Sequence, residues 1–271
     1  MNDRECVALL QWAAPRLGLR FRGFKNVRRQ VCRRIADRAR ALGLDAASYQ
    51  ARLADDPDEL RVLDGLCYVT ISRFYRDRSV YDALRRDLLP SLAEGATRRG
   101  DAALRVWSAG CASGEEPYSL AVLWHAEIAG RFAPLPLEII ATDRDEVVLT
   151  RARRGEYEPG SFRELPAELR EVAFEPAPGG VLHRVRDRFR REIVFGPNDV
   201  RTFVPDAPLH LVMCRNLVFT YLDDATQRAF LAQITARLLP GALLVVGSHE
   251  TVPEGFLTPH PTVPWVFVSR G

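Results

Sequence analysis

Val106-Trp-Ser-Ala-Gly-Cys-Ala-Ser-Gly-Glu-Glu-Pro-Tyr-Ser-Leu120 reads as a buried strand, a tight loop carrying Gly110 and Gly114, and the first turn of a helix. A strand that stops at a glycine loop and restarts as a helix is how open α/β sheets build a nucleotide pocket at a strand's carboxyl end. The glycines are spaced G-x-x-x-G, which is not the dinucleotide fingerprint, and Glu115 and Glu116 follow at once. Two carboxylates at a helix N-terminus compete with a pyrophosphate for the backbone N–H groups there. They suit a ligand that carries an ammonium group. S-adenosyl-L-methionine (SAM) combines an adenosine, a sulfonium and an ammonium with no phosphate, so a SAM methyltransferase is the expectation. The plainer alternative is a glycine-rich turn with a Ser113-x-x-Glu116 capping box, which any α/β protein can carry.

On either side of this stretch the hydrophobic period changes. Val27, Val31 and Ile35 recur at helical spacing among arginines, with Asn26 as N-cap and Gly43 as stop. Asp45 caps a short helix through Leu53, and Asp56-Pro57-Asp58-Glu59 opens a third with Pro at N1. Residues 1–65 are therefore expected to form a helical domain, and residues 66–94 a linker and an amphipathic helix over 79–93. Gly95–Asp101 reads as a polar connection. From about residue 103, strands over 104–108, 137–142, 209–214, 242–247 and 264–269 alternate with helices over 116–129, 146–154 and 224–238. That alternation predicts an α/β domain over 95–271 with a mostly parallel sheet. The segment 155–200 interrupts it, and its Pro/Gly cluster predicts an inserted subdomain over about 158–195.

Composition narrows the class. The chain has 271 residues, 47% of them hydrophobic, enough for a full core. No apolar run approaches the length of a membrane span, and Met1-Asn-Asp-Arg-Glu-Cys6 lacks a signal peptide's apolar stretch, so a cytoplasmic chain is expected. The five cysteines show no C-x-x-C spacing and no histidines cluster near them. They read as small core residues in a reducing compartment, with neither a metal site nor a disulfide framework. Net charge is only +3, and nucleic acid is not expected as a partner. Residues 16–40, however, hold nine arginines and Lys25 against one acid, Asp37. They are either a solvated face or a docking surface for something acidic.

Candidate site residues fall at strand ends. Asp143 follows the second strand, where an acid can accept hydrogen bonds from both ribose hydroxyls of an adenosine; the alternative is a helix cap. Arg215 and Asn216 follow the third clear strand. The linker Tyr68-Val-Thr-Ile-Ser-Arg-Phe-Tyr-Arg-Asp77 offers Thr70, Ser72 and Arg76 to a ligand, Arg76 as a fork for a carboxylate. The alternative is that Phe74 and Tyr75 simply anchor the helical module on the sheet.

Taken together these motifs resemble the CheR-type chemotaxis receptor methyltransferases, SAM-dependent protein-glutamate O-methyltransferases. The resemblance is carried by Ser72-Arg-Phe-Tyr-Arg-Asp77, Trp107–Ser119, Ala141-Thr-Asp-Arg-Asp145, Cys214-Arg-Asn216 and Leu239–Glu250. It implies a class I SAM-methyltransferase domain, Rossmann-like, with an N-terminal helical module and a small inserted β subdomain. It also implies roles. Arg76 with Ser72 and Thr70 would hold the methionine end of SAM, and Gly110 and Glu115 would be the loop contacts. Asp143 would bind the ribose, Asp199 and Val200 would edge the adenine, and Arg215 and Asn216 would lie near the sulfonium and the acceptor. Three features depart from the family pattern. The turn of the inserted subdomain, near Gly179-Gly180, is shorter than in members that bind a receptor tail peptide. Thr70 stands where an Asn is common. The family tyrosine four residues after the Asn falls on Thr220, with Tyr221 one residue beyond, so either can fill that catalytic position.

The resemblance further implies methyl transfer to a side-chain carboxylate, glutamate of a chemoreceptor-like protein, with S-adenosyl-L-homocysteine as product and no metal. The implied partner is an acidic helical protein such as a chemoreceptor cytoplasmic domain, docked through the basic helix 26–42, on a monomeric enzyme without membrane insertion. A diverged methyltransferase acting on another protein or a small molecule, or a SAM-binding module without turnover, are the alternatives.

Overall fold

The computed structural model describes residues 1–270. Its chain divides into two compact units, one of residues 1–70 with 217–228, the other of residues 71–216 with 229–271.

The first unit is helical. It contains α1 (Asp3–Ala13), α2 (Arg28–Ala41), α3 (Ala46–Asp55) and α4 (Pro57–Leu66). Caps stand where short polar residues permit them: Asn2 forms a capping box with Glu5, the Asp45 carboxylate accepts from the Ser48 N–H, and Asp56 accepts from Asp58 and Glu59 ahead of Pro57. Helix α2 starts differently from the sequence reading. Its N-cap is Val27, with no side-chain cap bond. Val31 and Ile35 are fully buried on α2, and Cys32 beside them forms a disulfide with Cys6 of α1, Cα–Cα 5.7 Å. This corrects the expectation of unpaired cysteines. The two lie 26 residues apart, and spacing alone does not reveal that their helices pack with these positions facing.

The second unit carries the sheet. Helix α5 (Arg78–Ala83) passes through a π-helical turn (Leu84–Leu88) into α6 (Leu89–Arg99). Pro90 explains the turn: it has no N–H for the Arg86 carbonyl, and the ladder widens, Leu89 N–H bonding Leu84 instead. Thus Gly95–Arg99 is the end of a helix, not a polar connection. Strands β1 (Leu104–Ala109) and β2 (Leu137–Asp143) flank α7 (Glu115–Leu123), which continues into a second π-helical turn, and α8 (Glu146–Arg154) follows. Then comes the insertion: β3 (Glu156–Tyr157), α9 (Ala167–Ala173), β4 (Phe174–Pro176) and β5 (His183–Val185), the strands forming a separate antiparallel sheet in the order β3-β5-β4.

The chain returns to the main sheet as β6 (Ile193–Pro197), which pairs parallel with β2. By sequence the start of this strand reads as part of the insertion. It is a short edge strand with Val194 68% exposed, so it lacks the continuous apolar run of a buried parallel strand. Strands β7 (Leu209–Met213) and β8 (Leu238–Val245) are parallel to β1, while β9 (Thr258–Pro259) and β10 (Val266–Val268) close the far edge with antiparallel pairing. Between β7 and β8 lie α10 (Val218–Tyr221) and α11 (Asp224–Thr235). Helix α11 therefore ends earlier than its pattern suggests. Pro240-Gly241 sits within β8, in the stretch where the β7–β8 register shifts.

The main sheet runs β6-β2-β1-β7-β8-β10-β9. Apart from the antiparallel pairing of β10 and β9 at one edge, the sheet is parallel, as the alternation of strands and helices predicts. The order reverses between β1 and β7, so the carboxyl ends of β2, β1 and β7 open on the crevice where open sheets bind ligands.

Candidate functional site

Every strand of the central parallel set ends in a segment that the sequence singled out. After β1 the loop folds back on β2, the Gly110 and Cys111 N–H groups both donating to the Thr142 carbonyl at 2.8 and 2.9 Å. Gly114 then starts α7 at φ 93°, and a Cβ there would stand 3.0 Å from both Ala152 Cβ and Tyr157 Oη. Only glycine serves, on conformation and on space. The capping box is not formed: Gly114 is the N-cap, and Glu116 instead accepts from Ser108 Oγ at 2.7 Å.

Glu115 is 2% exposed. Ser113 Oγ donates to its carboxylate, 3.0 and 2.9 Å from the two oxygens, and Ser72 also bonds it. Burial pushes its carboxyl above the usual range despite these donors. Asp143 closes β2 half-buried. Its Oδ2 accepts the Ala112 N–H and its Oδ1 the Asp145 N–H, both at 3.0 Å. Burial raises this carboxyl too, against the pull of those amides. An ionised carboxylate has about four acceptor positions, so these amides do not exhaust it and a ligand's donor can be taken.

Beyond β6, Asp199 is gripped by Arg201, whose Nε and Nη2 lie 3.0 and 2.6 Å from Oδ2. Burial acts to raise this carboxyl, but the guanidinium outweighs it and the pKa is lowered. Val200 beside it is buried.

Beyond β7, the Arg215 side chain is 5% exposed and meets Asp77 Oδ2 at 2.6 Å, the Arg76 carbonyl at 2.8 Å and Glu116 Oε2 at 3.2 Å. This cation ties the linker to β7 and α7. Burial lowers its pKa, but Tyr81, Glu116 and Asp77 raise it more. Arg76 itself is half-buried, with Nη1 donating to the Ile71 carbonyl. Asn216 has φ 54° and its N–H donates to Glu250 Oε2 at 2.8 Å.

The linker is locked by aromatic rings. Phe74 is fully buried among Tyr157, Phe162 and Phe174, centroids 4.8–5.2 Å away, and Tyr75 stacks on Tyr81 at 4.4 Å. These rings anchor the linker within the sheet-bearing unit, with Arg76 between Tyr75 and Asp77. Backbone strain collects in the same place. Among the described residues, the non-glycine positive φ angles are at Tyr75, Asp77, Ala112 and Asn216. Each costs about 1–3 kcal/mol and persists only where the surroundings over-determine it, as at ligand sites.

Ser72, Arg76, Gly110, Glu115, Asp143, Asp199, Val200, Arg215 and Asn216 all belong to the sheet-bearing unit, at or beside its strand ends. Thr70 and Tyr221 belong to the helical unit. There Thr70 is exposed, and the Tyr221 ring tilts against Phe24 and Tyr68 at 6.0 and 5.7 Å. Sequence reasoning missed Asp77, Glu116 and Glu250 as partners of Arg215 and Asn216. Each stood inside a quoted motif, but only contacts across strand ends reveal what it holds.

The donor set fits SAM. The acids Glu115, Glu116 and Asp143 at these strand ends favour a cationic ligand with hydroxyls over a phosphate. Among the described residues no group of three or more His, Cys, Asp or Glu is placed to hold a metal ion.

Comparison with known proteins agrees with this geometry. The CheR methyltransferase SAM-binding domain family matches residues 70–260. The chemotaxis protein methyltransferase of Listeria monocytogenes is 33% identical over 69% of this chain and 67% of its own length. Chemotaxis protein methyltransferase 2 of Pseudomonas aeruginosa is 32% identical over 81% of this chain and 77% of its own. For the Salmonella typhimurium chemotaxis protein methyltransferase the figures are 31%, 92% and 84%. With a matched region that contains the glycine loop, Asp143 and the Cys214-Arg-Asn216 strand end, the chain belongs to the CheR methyltransferase family and is a SAM-dependent methyltransferase.

Proposed function

We propose that the acceptor is a side-chain carboxylate, glutamate of a chemoreceptor-like helical protein, and that the product is its methyl ester. The observation that carries this reading is the convergence of buried acids and strained backbone at the strand ends, inside the segment that matches the family. Bound there, SAM supplies a methyl group on a sulfonium and leaves as the neutral thioether of S-adenosyl-L-homocysteine.

The residues of this chain then have mainly a positioning task. Asp143 orients the ribose hydroxyls, and Asp199 with Val200 borders the adenine. Glu115, braced by Ser72 and Ser113, faces the cationic end beside the Gly110 turn, and the Arg76 fork takes the carboxylate end. Arg215 acts indirectly, holding the linker in register through Asp77 and the Arg76 carbonyl. Asn216 orients the acceptor carboxylate, which is already ionised at neutral pH and needs no general base. The roles of Thr70 and Tyr221 rest on family resemblance alone, and substitution of each is their test. No metal takes part in this scheme. Among the described residues no helix is long and apolar enough to cross a membrane; we place the reaction in the cytoplasm, where the cytoplasmic ends of receptors are reached.

The test is transfer of a labelled methyl group into lysate proteins, with and without chelator, followed by mild alkali. Esters release methanol in alkali and N-methyl groups do not. Label that survives alkali would overturn the carboxylate assignment and favour a diverged acceptor.

A further inference from the structure

Glu250 stands where the ladder between β7 and β8 gives out. The Cys214 N–H still bonds the Val245 carbonyl at 2.9 Å, and beyond that pair the strands part. The chain after β8 turns tightly, with the Glu250 N–H donating to the Gly247 carbonyl at 2.9 Å. That turn brings the Glu250 carboxylate back across both strand ends. One oxygen, Oε2, accepts the Gly247 N–H at 2.7 Å and the Asn216 N–H at 2.8 Å. It supplies the acceptor that the ended ladder no longer provides.

The same contact fixes a conformation. Asn216 lies in the left-handed region, which Asn tolerates better than other non-glycine residues, and the bond from its N–H to Glu250 fixes it there. Its side chain is held as well. A Cβ on Gly247 would stand 2.8 Å from Asn216 Oδ1 and 2.9 Å from Glu250 Oε2. The bare Gly247 backbone therefore forms the floor on which the Asn216 amide rests, and Glu250 clamps floor and residue together.

We infer that Glu250 is a positioning residue for methyl transfer, acting through the backbone of Asn216 to aim its amide at the acceptor carboxylate. This rests on the reading of Asn216 as the acceptor-orienting group. Removing the clamp frees the Asn216 N–H and lets its backbone relax out of the left-handed region, which displaces the amide while leaving Asp143 and Glu115 untouched.

The experiment compares Glu250→Ala, Glu250→Gln, Asn216→Ala and the double alanine variant. Initial rates of base-labile methyl transfer to receptor-containing membranes of the native host are measured, with calorimetry of S-adenosyl-L-homocysteine and melting temperatures. Glu250→Ala is expected to lower kcat on the order of 10- to 100-fold, the cost of a reacting group about 1 Å out of place, with product affinity unchanged. Glu250→Gln keeps an oxygen acceptor and recovers most of the rate. The double variant is no slower than Asn216→Ala, because Glu250 acts through that residue. If Asn216→Ala is slow and Glu250→Ala is not, the positioning role is wrong and the reading of Asn216 survives. A normal rate in Asn216→Ala removes both. If Glu250→Ala loses product affinity and melting temperature in step with kcat, Glu250 is a structural strut and the proposal fails.

Discussion

At the scale of single residues, two acids show how burial can serve binding. Asp143 and Glu115 both have carboxyls raised by burial, so without ligand each is held in a setting that disfavours its charge. A ligand bringing hydroxyl donors to Asp143 stabilises the carboxylate form, and binding then releases any proton carried there. SAM affinity should accordingly fall as pH drops through the raised Asp143 pKa. Asp143→Ala should lose its share of that pH dependence, leaving the share of Glu115, and weaken binding by about 1.5–3 kcal/mol, the worth of hydrogen bonds to a charged group; calorimetry of S-adenosyl-L-homocysteine across pH is the check. Cysteine chemistry needs contacts rather than spacing. With Cys6 bonded to Cys32, and Cys67, Cys111 and Cys214 in no disulfide, air-oxidised protein denatured without reductant should titrate three thiols, and five after reduction. Closing the 26-residue separation should stabilise the oxidised chain by about 3–4 kcal/mol over Cys6→Ser. Five titratable thiols before reduction would remove the bond.

Elements show where sequence patterns succeed. Strand β7 is buried throughout and β1 at all but Arg105, and their apolar positions announce them; β2 is legible from Leu137, Ile139 and Ala141, which are buried on one face. Helix α8 is bounded by the Asp145 cap and Gly155 at φ 67°, so its limits follow from local chemistry. The failures have tertiary causes: Pro90 widens a helix without ending it, β6 is legible only beside β2, and Pro240-Gly241 is absorbed where β8 shifts register. One element-level device lies at the opposite, amino end of the sheet. His210 on β7 is 1% exposed; its Nδ1 accepts the Arg105 N–H of β1 at 3.0 Å, and its Nε2 meets Asp101 Oδ2 at 2.9 Å. Accepting a backbone N–H requires the neutral ring. Burial lowers the His210 pKa below 6.5, outweighing the pull of Asp101. The unfolded chain takes up this proton first on acidification, so stability falls as pH drops through 6.5 toward the lower folded value. Urea midpoints between pH 7.5 and pH 5 should show this decline in the native chain and a flatter profile in His210→Gln, with product affinity unchanged at neutral pH. Equal slopes in the two proteins would mean that the histidine is not the titrating group.

For the whole molecule, topology does most of the work: one reversal of strand order between β1 and β7 gathers into a single crevice residues that lie more than a hundred positions apart in sequence. The glycine loop and strand ends were legible because such crevices need small residues and acids at fixed places. The braces Asp77, Glu116 and Glu250 were not, because nothing local distinguishes a bracing carboxylate from a solvated one. The basic helix teaches the same lesson. By sequence, Arg28, Arg29, Arg33, Arg34 and Arg38 form one positive face. Folded, Arg38 makes two bonds to buried Glu59, 2.9 and 2.6 Å, and Arg34 donates to the Tyr68 carbonyl at 2.6 Å. Arg29 and Arg33 remain exposed. If α2 docks an acidic receptor helix, these two carry the steering, and their contribution falls as salt shortens the screening length. Reversing Arg29 and Arg33 to Glu should raise the KM for receptor membranes at low salt, leave SAM affinity and melting temperature alone, and lose its effect at high salt. Arg38→Glu should instead lower the melting temperature, since it sets two carboxylates against each other in the core of the helical unit. A double reversal with unchanged KM at low salt would leave α2 as a solvated face, and receptor recognition would then have to reside elsewhere on the chain.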